Sequence, residues 1–261
     1  MRGCGPCRAG AAVRRAVVPV LLAAALLTGC GGTKPAQAVP HCEAGGLTLT
    51  LEQTANAATI AVVGKRLALP DHAITVALAT ALQESGLRNL AYGDRDSLGL
   101  FQQRPSQGWG PPATIRTPRL SAANFYRRLI RIPGWAALPV TEAAQRVQRS
   151  GDAGAYAQWE TTARILAVAL TGEVPAGLAC AYRPAAHPVI GPGLSQSAAL
   201  ELGAGGLTRS GAVRSWTAAT WLVAQASAFG VSAVSVNGRT WTPGSGAWRP
   251  DARAGTALTY R

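Results

Sequence analysis

Residues 71–110 read DHAITVALATALQESGLRNLAYGDRDSLGLFQQRPSQGWG, and this stretch decides the fold. Between Asp71 and Gly86 nearly every residue is apolar or small on all sides, which predicts a buried helix rather than an amphipathic one. Asp71, after Pro70, is the expected N-cap, and Gly86 the expected left-handed C-terminal residue. One carboxylate interrupts the run: Glu84, in the last turn, on a stripe with Ala73, Ala77, Thr80 and Ala81. Desolvation among apolar neighbours disfavours its anion, and so does the negative end of the helix dipole. A carboxyl that keeps its proton near neutral pH is what general-acid cleavage of a glycosidic bond requires. The alternative, from the helix alone, is a solvated Glu at a frayed helix end.

The loop that follows favours the first alternative. Glu84-Ser85-Gly86, then Gly93-Asp94-Arg95 and Ser97-Leu98-Gly99-Leu100-Phe101-Gln102, resemble the lysozyme-like superfamily, lytic transglycosylases and goose-type lysozymes in particular. Those families carry Glu-Ser at the end of a buried helix and Gly-Leu-Met-Gln, one loop later, beside the substrate cleft; here Phe101 stands at the Met position. The resemblance spans residues 47–172 and implies a mainly α, lysozyme-like domain. It implies cleavage of the β-1,4 bond between N-acetylmuramic acid and N-acetylglucosamine in peptidoglycan, without a cofactor. Glu84 would be the general acid/base; Ser97, Gln102 and Gln103 would orient substrate, and Tyr126 matches a tyrosine that transglycosylases place near the acid. Tyr126 as a partly buried surface tyrosine is the other reading.

Asp94 matches the goose-type Gly-Asp-Arg and would position water in a hydrolase. Inverting glycosidases hold their two carboxyls about 6.5–9.5 Å apart, retaining ones about 5 Å. Asp94 and Asp96 also lie in a Gly-containing turn, where Asp commonly bonds nearby backbone. Lytic transglycosylases, by resemblance, need no second carboxylate: the substrate N-acetyl group attacks the anomeric carbon, and one Glu serves as acid and then base. Both routes stay open at this point.

Around this centre, Thr50 and Gln53 form a capping box for a helix running to about Leu67. Gly64 weakens its end, and the turn at 67–70 makes a helical hairpin with the Glu84 helix. Residues 104–112 are non-helical cleft rim, with Trp109 either stacking on a sugar or packing within the loop. Ser121 to Ile132 is a helix with Phe125, Leu129 and Ile132 inward and Arg127, Arg128 and Arg131 outward. Another helix starts near Pro139, and a last one runs from Ala155 to Leu170 with Tyr156, Trp159 and Ile165 in the core; Glu160 reads as a solvated helix charge.

Residues 1–29 read as a signal peptide, with Arg2, Arg8, Arg14 and Arg15 before an apolar run, Ala16 to Leu27, too short for a comfortable membrane span. Leu27-Thr28-Gly29-Cys30 resembles a bacterial lipobox, which implies lipidation of Cys30 and an extracytoplasmic, membrane-anchored protein; plain secretion is the alternative. Cys4 and Cys7 mimic a redox motif but have neither the strand nor the helix that such a motif needs. Of five cysteines, Cys42 and Cys180 remain, flanking the lysozyme-like region, and an oxidising location makes them a disulfide rather than two free thiols. The chain has 25 Lys and Arg against 12 Asp and Glu; without the four signal arginines the balance is 21 to 12, a net +9. Such a domain associates with polyanions, here wall polymers and anionic head groups rather than nucleic acid, since the arginines are scattered and form no stripe. His41, His72 and His187 are isolated, so no metal site is expected.

Residues 30–46 read as a tether and 47–182 as the lysozyme-like domain. Residues 183–211 read as a Pro/Gly-rich linker, and 212–261 as a small α+β module of no recognised family. In that module an amphipathic helix carries Trp216, Val223, Ala226 and Ser227. A hairpin turns at Asn237-Gly238, and a final strand lies near Thr256 to Tyr260. Trp216 and Trp221 are expected in the core, with Trp241 and Trp248 either core or wall-binding. Two other functions compete with glycan cleavage: a non-catalytic wall-binding or scaffold lipoprotein, and a solute-capturing lipoprotein. The second is disfavoured because such pockets lie between two larger domains.

Overall fold

The structure, a computed structural model, describes residues 39–150, 152, 154–184, 193–208 and 211–261. The expected signal peptide, the Cys4/Cys7 pair and the Cys30 lipidation site lie outside the described residues. Residues 38–261 form a single compact unit, a mixed α+β body of helices with two small antiparallel sheets.

Strands β1 (His41–Ala44) and β2 (Leu47–Leu49) open the unit. Next come α1 (Leu51–Arg66), α2 (Asp71–Ser85), the short α3 (Pro112–Ile115), α4 (Pro118–Leu129), α5 (Val140–Gln148) and α6 (Glu160–Leu170). Strand β3 (Leu178–Ala181) closes the first sheet, in the order β2-β1-β3. After α7 (Leu194–Glu201) and α8 (Ala212–Phe229), strands β4 (Val234–Val236), β5 (Arg239–Thr242), β6 (Ala247–Pro250) and β7 (Thr259–Tyr260) form the second sheet, in the order β6-β5-β4-β7.

The local signals of the central hairpin hold. Thr50 and Gln53 make the reciprocal capping box, and Gly86 ends α2 at φ 60°. Asp71 is not the cap: extended Pro70 takes that position, and Asp71, one residue inside, pairs instead with Lys65 Nζ at 3.0 Å. From Ala73 to Leu82 every residue of α2 is buried, because α1, α4, α5 and α6 surround it. The arginine-bearing helix starts earlier than expected, at Pro118. The last expected helix is split: Ala157–Trp159 is a 3-10 turn before α6, and Trp159 and Ile165 are only partly buried. Residues 105–107 also form a 3-10 turn.

The ends of the chain depart further from the reading as separate parts. Part of the expected tether is the central strand β1, where Cys42 sits opposite Cys180 on β3 and is disulfide-bonded to it. Within the expected linker lies α7, whose Glu201 bonds to α1 and α8. The C-terminal helix is not amphipathic: residues 218–226 of α8 are all buried, between α1 on one side and β3 and β4 on the other, while Ser227 is exposed. Asn237 and Gly238, both at positive φ, make the predicted hairpin turn, and β7 forms where a last strand was expected. Trp241 is fully buried and donates to the Cys180 carbonyl at 3.0 Å; Trp248 donates to Leu178 O at 2.7 Å. The second sheet is thereby stitched to the first, and Trp241 has no free face for a glycan.

Candidate active site

Glu84 is half-buried at the end of α2, and Oε1 is its anchored oxygen. Tyr156 donates its hydroxyl to Oε1 at 2.8 Å, and Gln148 donates Nε2 to the same atom at 3.1 Å. Among the described residues no donor reaches Oε2. Oε1 thus faces two donors, and Oε2 is the oxygen without a described partner. Tyr156 itself is buried, and burial together with the Glu84 charge pushes its phenol above the ordinary range, so it stays a donor.

The motif loop is tied to the same helix end. Ser85 Oγ, next to the acid, donates to Leu100 O at 2.8 Å, and Gln148 Nε2 also donates to Phe101 O at 2.7 Å. The Gly-Leu-Phe-Gln turn is closed by paired bonds between Leu98 and Gln103, both 3.0 Å, with Gly99 and Gln102 at positive φ. Gly99 is required there: a Cβ would stand 2.7 Å from Ile115 O. Phe101 points into the core and stacks on Phe125, ring centroids 4.7 Å apart. From the other side, Gln53 Nε2 and Asn56 Nδ2 of α1 donate to Gly86 O and Leu87 O, which fixes the exit of α2.

Several expected site residues have other work. Tyr126 is buried and donates to Ile60 O at 2.9 Å; the tyrosine on the acid is Tyr156. Gln103 is buried and donates to Ser121 O at 3.2 Å, holding the loop to α4. Trp109 is buried under the Arg128 guanidinium, 3.5 Å above its ring, so it packs the loop instead of offering a stacking face. Ser97 is buried, its amide bonded to Asp94 O. Gln102 is half-buried, with Nε2 folded onto Tyr92 O and Gly99 O.

Asp94 is 88% exposed, its charged neighbour Arg95 Nε at 3.8 Å. Asp96 is the structural aspartate of the turn. Its carboxylate takes Arg104 Nε at 2.7 Å, Ser106 N at 2.8 Å and Ser106 Oγ at 3.0 Å, and these bonds hold it well below the usual carboxylate range. A carboxylate absent from the sequence argument, Asp152, is close enough to Tyr156 for its charge to act on the phenol. Arg131 and Arg149 are each close enough to Arg128 for their charges to act on it; burial first, then these two neighbours, holds the Arg128 guanidinium below its ordinary range. Arg149 immediately follows Gln148, at the left-handed end of α5.

Tyr156 and Gln148 were missed as site residues for a reason of spacing. They lie 72 and 64 residues beyond Glu84, on a 3-10 entry turn and the last turn of α5, and neither belongs to a quoted motif. The chain matches no family model, and a comparison with curated proteins found no match.

Proposed function

We propose that the chain is a lysozyme-like enzyme that cleaves the β-1,4 bond between N-acetylmuramic acid and N-acetylglucosamine of peptidoglycan, exported and lipid-anchored through Cys30. The observation that carries this reading is the double clamp at Glu84: Ser85 and Gln148 tie the Gly-Leu-Phe-Gln loop to the helix end, while Tyr156 and Gln148 fix one carboxyl oxygen. An acid anchored through Oε1 keeps Oε2 for the reaction.

In the proposed cycle Glu84 gives its proton to the glycosidic oxygen as the bond to the anomeric carbon breaks. The carbonyl of the substrate's own N-acetyl group then closes on that carbon. Ionised Glu84 next removes a proton from the substrate's C6 hydroxyl or from water; the oxygen so activated bonds to the anomeric carbon as the bond to the N-acetyl oxygen breaks, giving an anhydro end or a reducing end and restoring the acetamido group. The exposure of Asp94 supports substrate assistance over a water-positioning aspartate. The net positive charge and the Arg128, Arg131 and Arg149 group support a polyanionic wall as the surface on which it works.

A non-catalytic wall-binding or scaffold role is the second reading. It is favoured by the burial of Trp109, Tyr126 and Gln103 in structural contacts, which removes three expected substrate ligands. Mass spectrometry of purified peptidoglycan digested by wild type and Glu84→Gln separates the two. The expected result is anhydro-muramyl ends from wild type and a loss of about 10²–10⁴-fold in the variant. Asp94→Asn and Asp152→Asn are expected to keep most activity; a loss in either comparable to Glu84→Gln, with reducing ends, would mean a hydrolase with that aspartate at the water. No product from wild type, or equal turnover by a folded Glu84→Gln, would sink the enzyme reading.

A further inference from the structure

Apart from Glu84, the helices frame a second pocket, open to solvent on one side and carrying charged groups in its lining. Where α1, α4, α7 and α8 meet, a cavity of about 340 Å³ is lined by Asn56, Thr59, Arg119, Ser197, Glu201 and Gln225, among others. It shares no residue with the Glu84 clamp. Its volume lies at the small end of ligand pockets, which run from about 300 to 1,000 Å³.

The charges in it are arranged in an unusual way. Glu201 Oε2 accepts Trp221 Nε1 at 2.7 Å and Thr59 Oγ1 at 2.9 Å, and these two bonds are enough to dock α7 onto α8 and α1. No described residue donates to Oε1. Arg119 makes no hydrogen bond and no ion pair within 4 Å among the described residues, although its charge is felt by Glu201. Glu201 and Arg119 thus line one pocket without forming an ion pair with each other. Charges of opposite sign that line one pocket ordinarily close onto one another or onto a ligand.

We propose that this cavity binds a small zwitterion, an α-amino acid or a dipeptide, with its ammonium on Glu201 Oε1 and its carboxylate on Arg119. Thr59, held by Gln225 Nε2 at 3.2 Å, fixes the Glu201 carboxylate from the α1 side, so the acceptor is positioned before the ligand arrives. Burial pushes the Glu201 carboxyl upward, and a bound ammonium supplies the contact counter-charge that Arg119, beyond ion-pair distance, does not. The proposal does not depend on glycan cleavage.

Isothermal titration of the purified chain tests it, with L-alanine, D-alanine and D-alanyl-D-alanine as probes and propylamine and propionate as single-charge controls. At least one zwitterion is expected to bind saturably, with both controls at least about tenfold weaker. The alanine and dipeptide arms separate a free amino acid from a peptide end. Arg119→Gln and Glu201→Gln are each expected to weaken binding at least about tenfold, and Glu84→Gln to bind as wild type. If circular dichroism shows Glu201→Gln unfolded, Arg119→Gln decides, since the Arg119 side chain makes no hydrogen bond among the described residues. The proposal is overturned by no binding of any zwitterion up to about 10 mM, by controls that bind equally well, or by undiminished affinity in Arg119→Gln.

Discussion

Tyr156 shows how one side chain can set the geometry of a reacting group without reacting. Its hydroxyl is buried, stays protonated, and reaches only one of the two Glu84 oxygens. Removing it frees the carboxyl to rotate, with Gln148 left as the single tether. A hydrogen bond to a charged group is worth about 1.5–3 kcal/mol, so Tyr156→Phe should lower kcat by roughly tenfold to a hundredfold. KM should stay near wild type, because the hydroxyl is committed to Glu84 rather than to substrate. Steady-state kinetics on a soluble glycan fragment would check this; a rise in KM at unchanged kcat would mean that Tyr156 binds substrate instead.

At the scale of elements, the α1–α2 hairpin explains a glycine that helix propensity alone would reject. Gly64 lies in the last turn of α1, where a Cβ would stand 2.8 Å from Ile74 Cγ1 and 2.9 Å from the Tyr126 hydroxyl. That hydroxyl is tethered to Ile60 O, so withdrawing it would cost a buried hydrogen bond. Gly64→Ala should therefore destabilise by about 1–3 kcal/mol through overpacking, although Ala is the better helix former by about 1 kcal/mol. Urea denaturation would read the sign, and a stabilised variant would show that the hairpin can spread.

The α7 contact carries a pH dependence. Burial raises the Glu201 carboxyl above its ordinary 4.5, so over that interval the folded chain binds more protons than the unfolded one. The associated stability is fully present below pH 4.5 and is lost as pH rises through the folded-state value. Glu201→Gln lacks this transition. In urea melts at stepped pH, wild type minus Glu201→Gln should thus fall with rising pH; a difference independent of pH would refute the raised carboxyl.

For the whole molecule, the decisive fact is that the C-terminal segment completes the helical body. α8 covers α1, Trp241 and Trp248 bond to the β3 backbone, and Thr217 bonds to Thr171 O after α6. A chain ended after Tyr182 would expose the α1 face that α8 buries and leave the carbonyls of Leu178 and Cys180 without their indole donors. Such a truncation should give no cooperative unfolding transition, even with the Cys42–Cys180 bond intact and its loop constraint worth about 4–5 kcal/mol. A cooperative melt near that of the full chain would show that the first 182 residues fold alone.

The capping box at Thr50, the left-handed end at Gly86, the Asn237-Gly238 turn and the buried run from Ala73 to Leu82 were legible in the sequence. Each depends on residues within a few positions of one another, or on a helix hydrophobic all round. Glu84 itself was legible as the one acid in an apolar run. Which tyrosine meets it, how Trp241 loses its free face, and how β1 and α7 join the body were decided by pairings between residues about sixty to more than a hundred apart. Tyr126 and Tyr156 look alike in sequence; one faces the Ile60 carbonyl and the other faces Glu84 only because α4 packs on α1 while the entry turn of α6 packs on α2. Local chemistry chooses an element and its ends, but the partner of a buried polar group is whichever donor or acceptor the packing of other elements brings within reach.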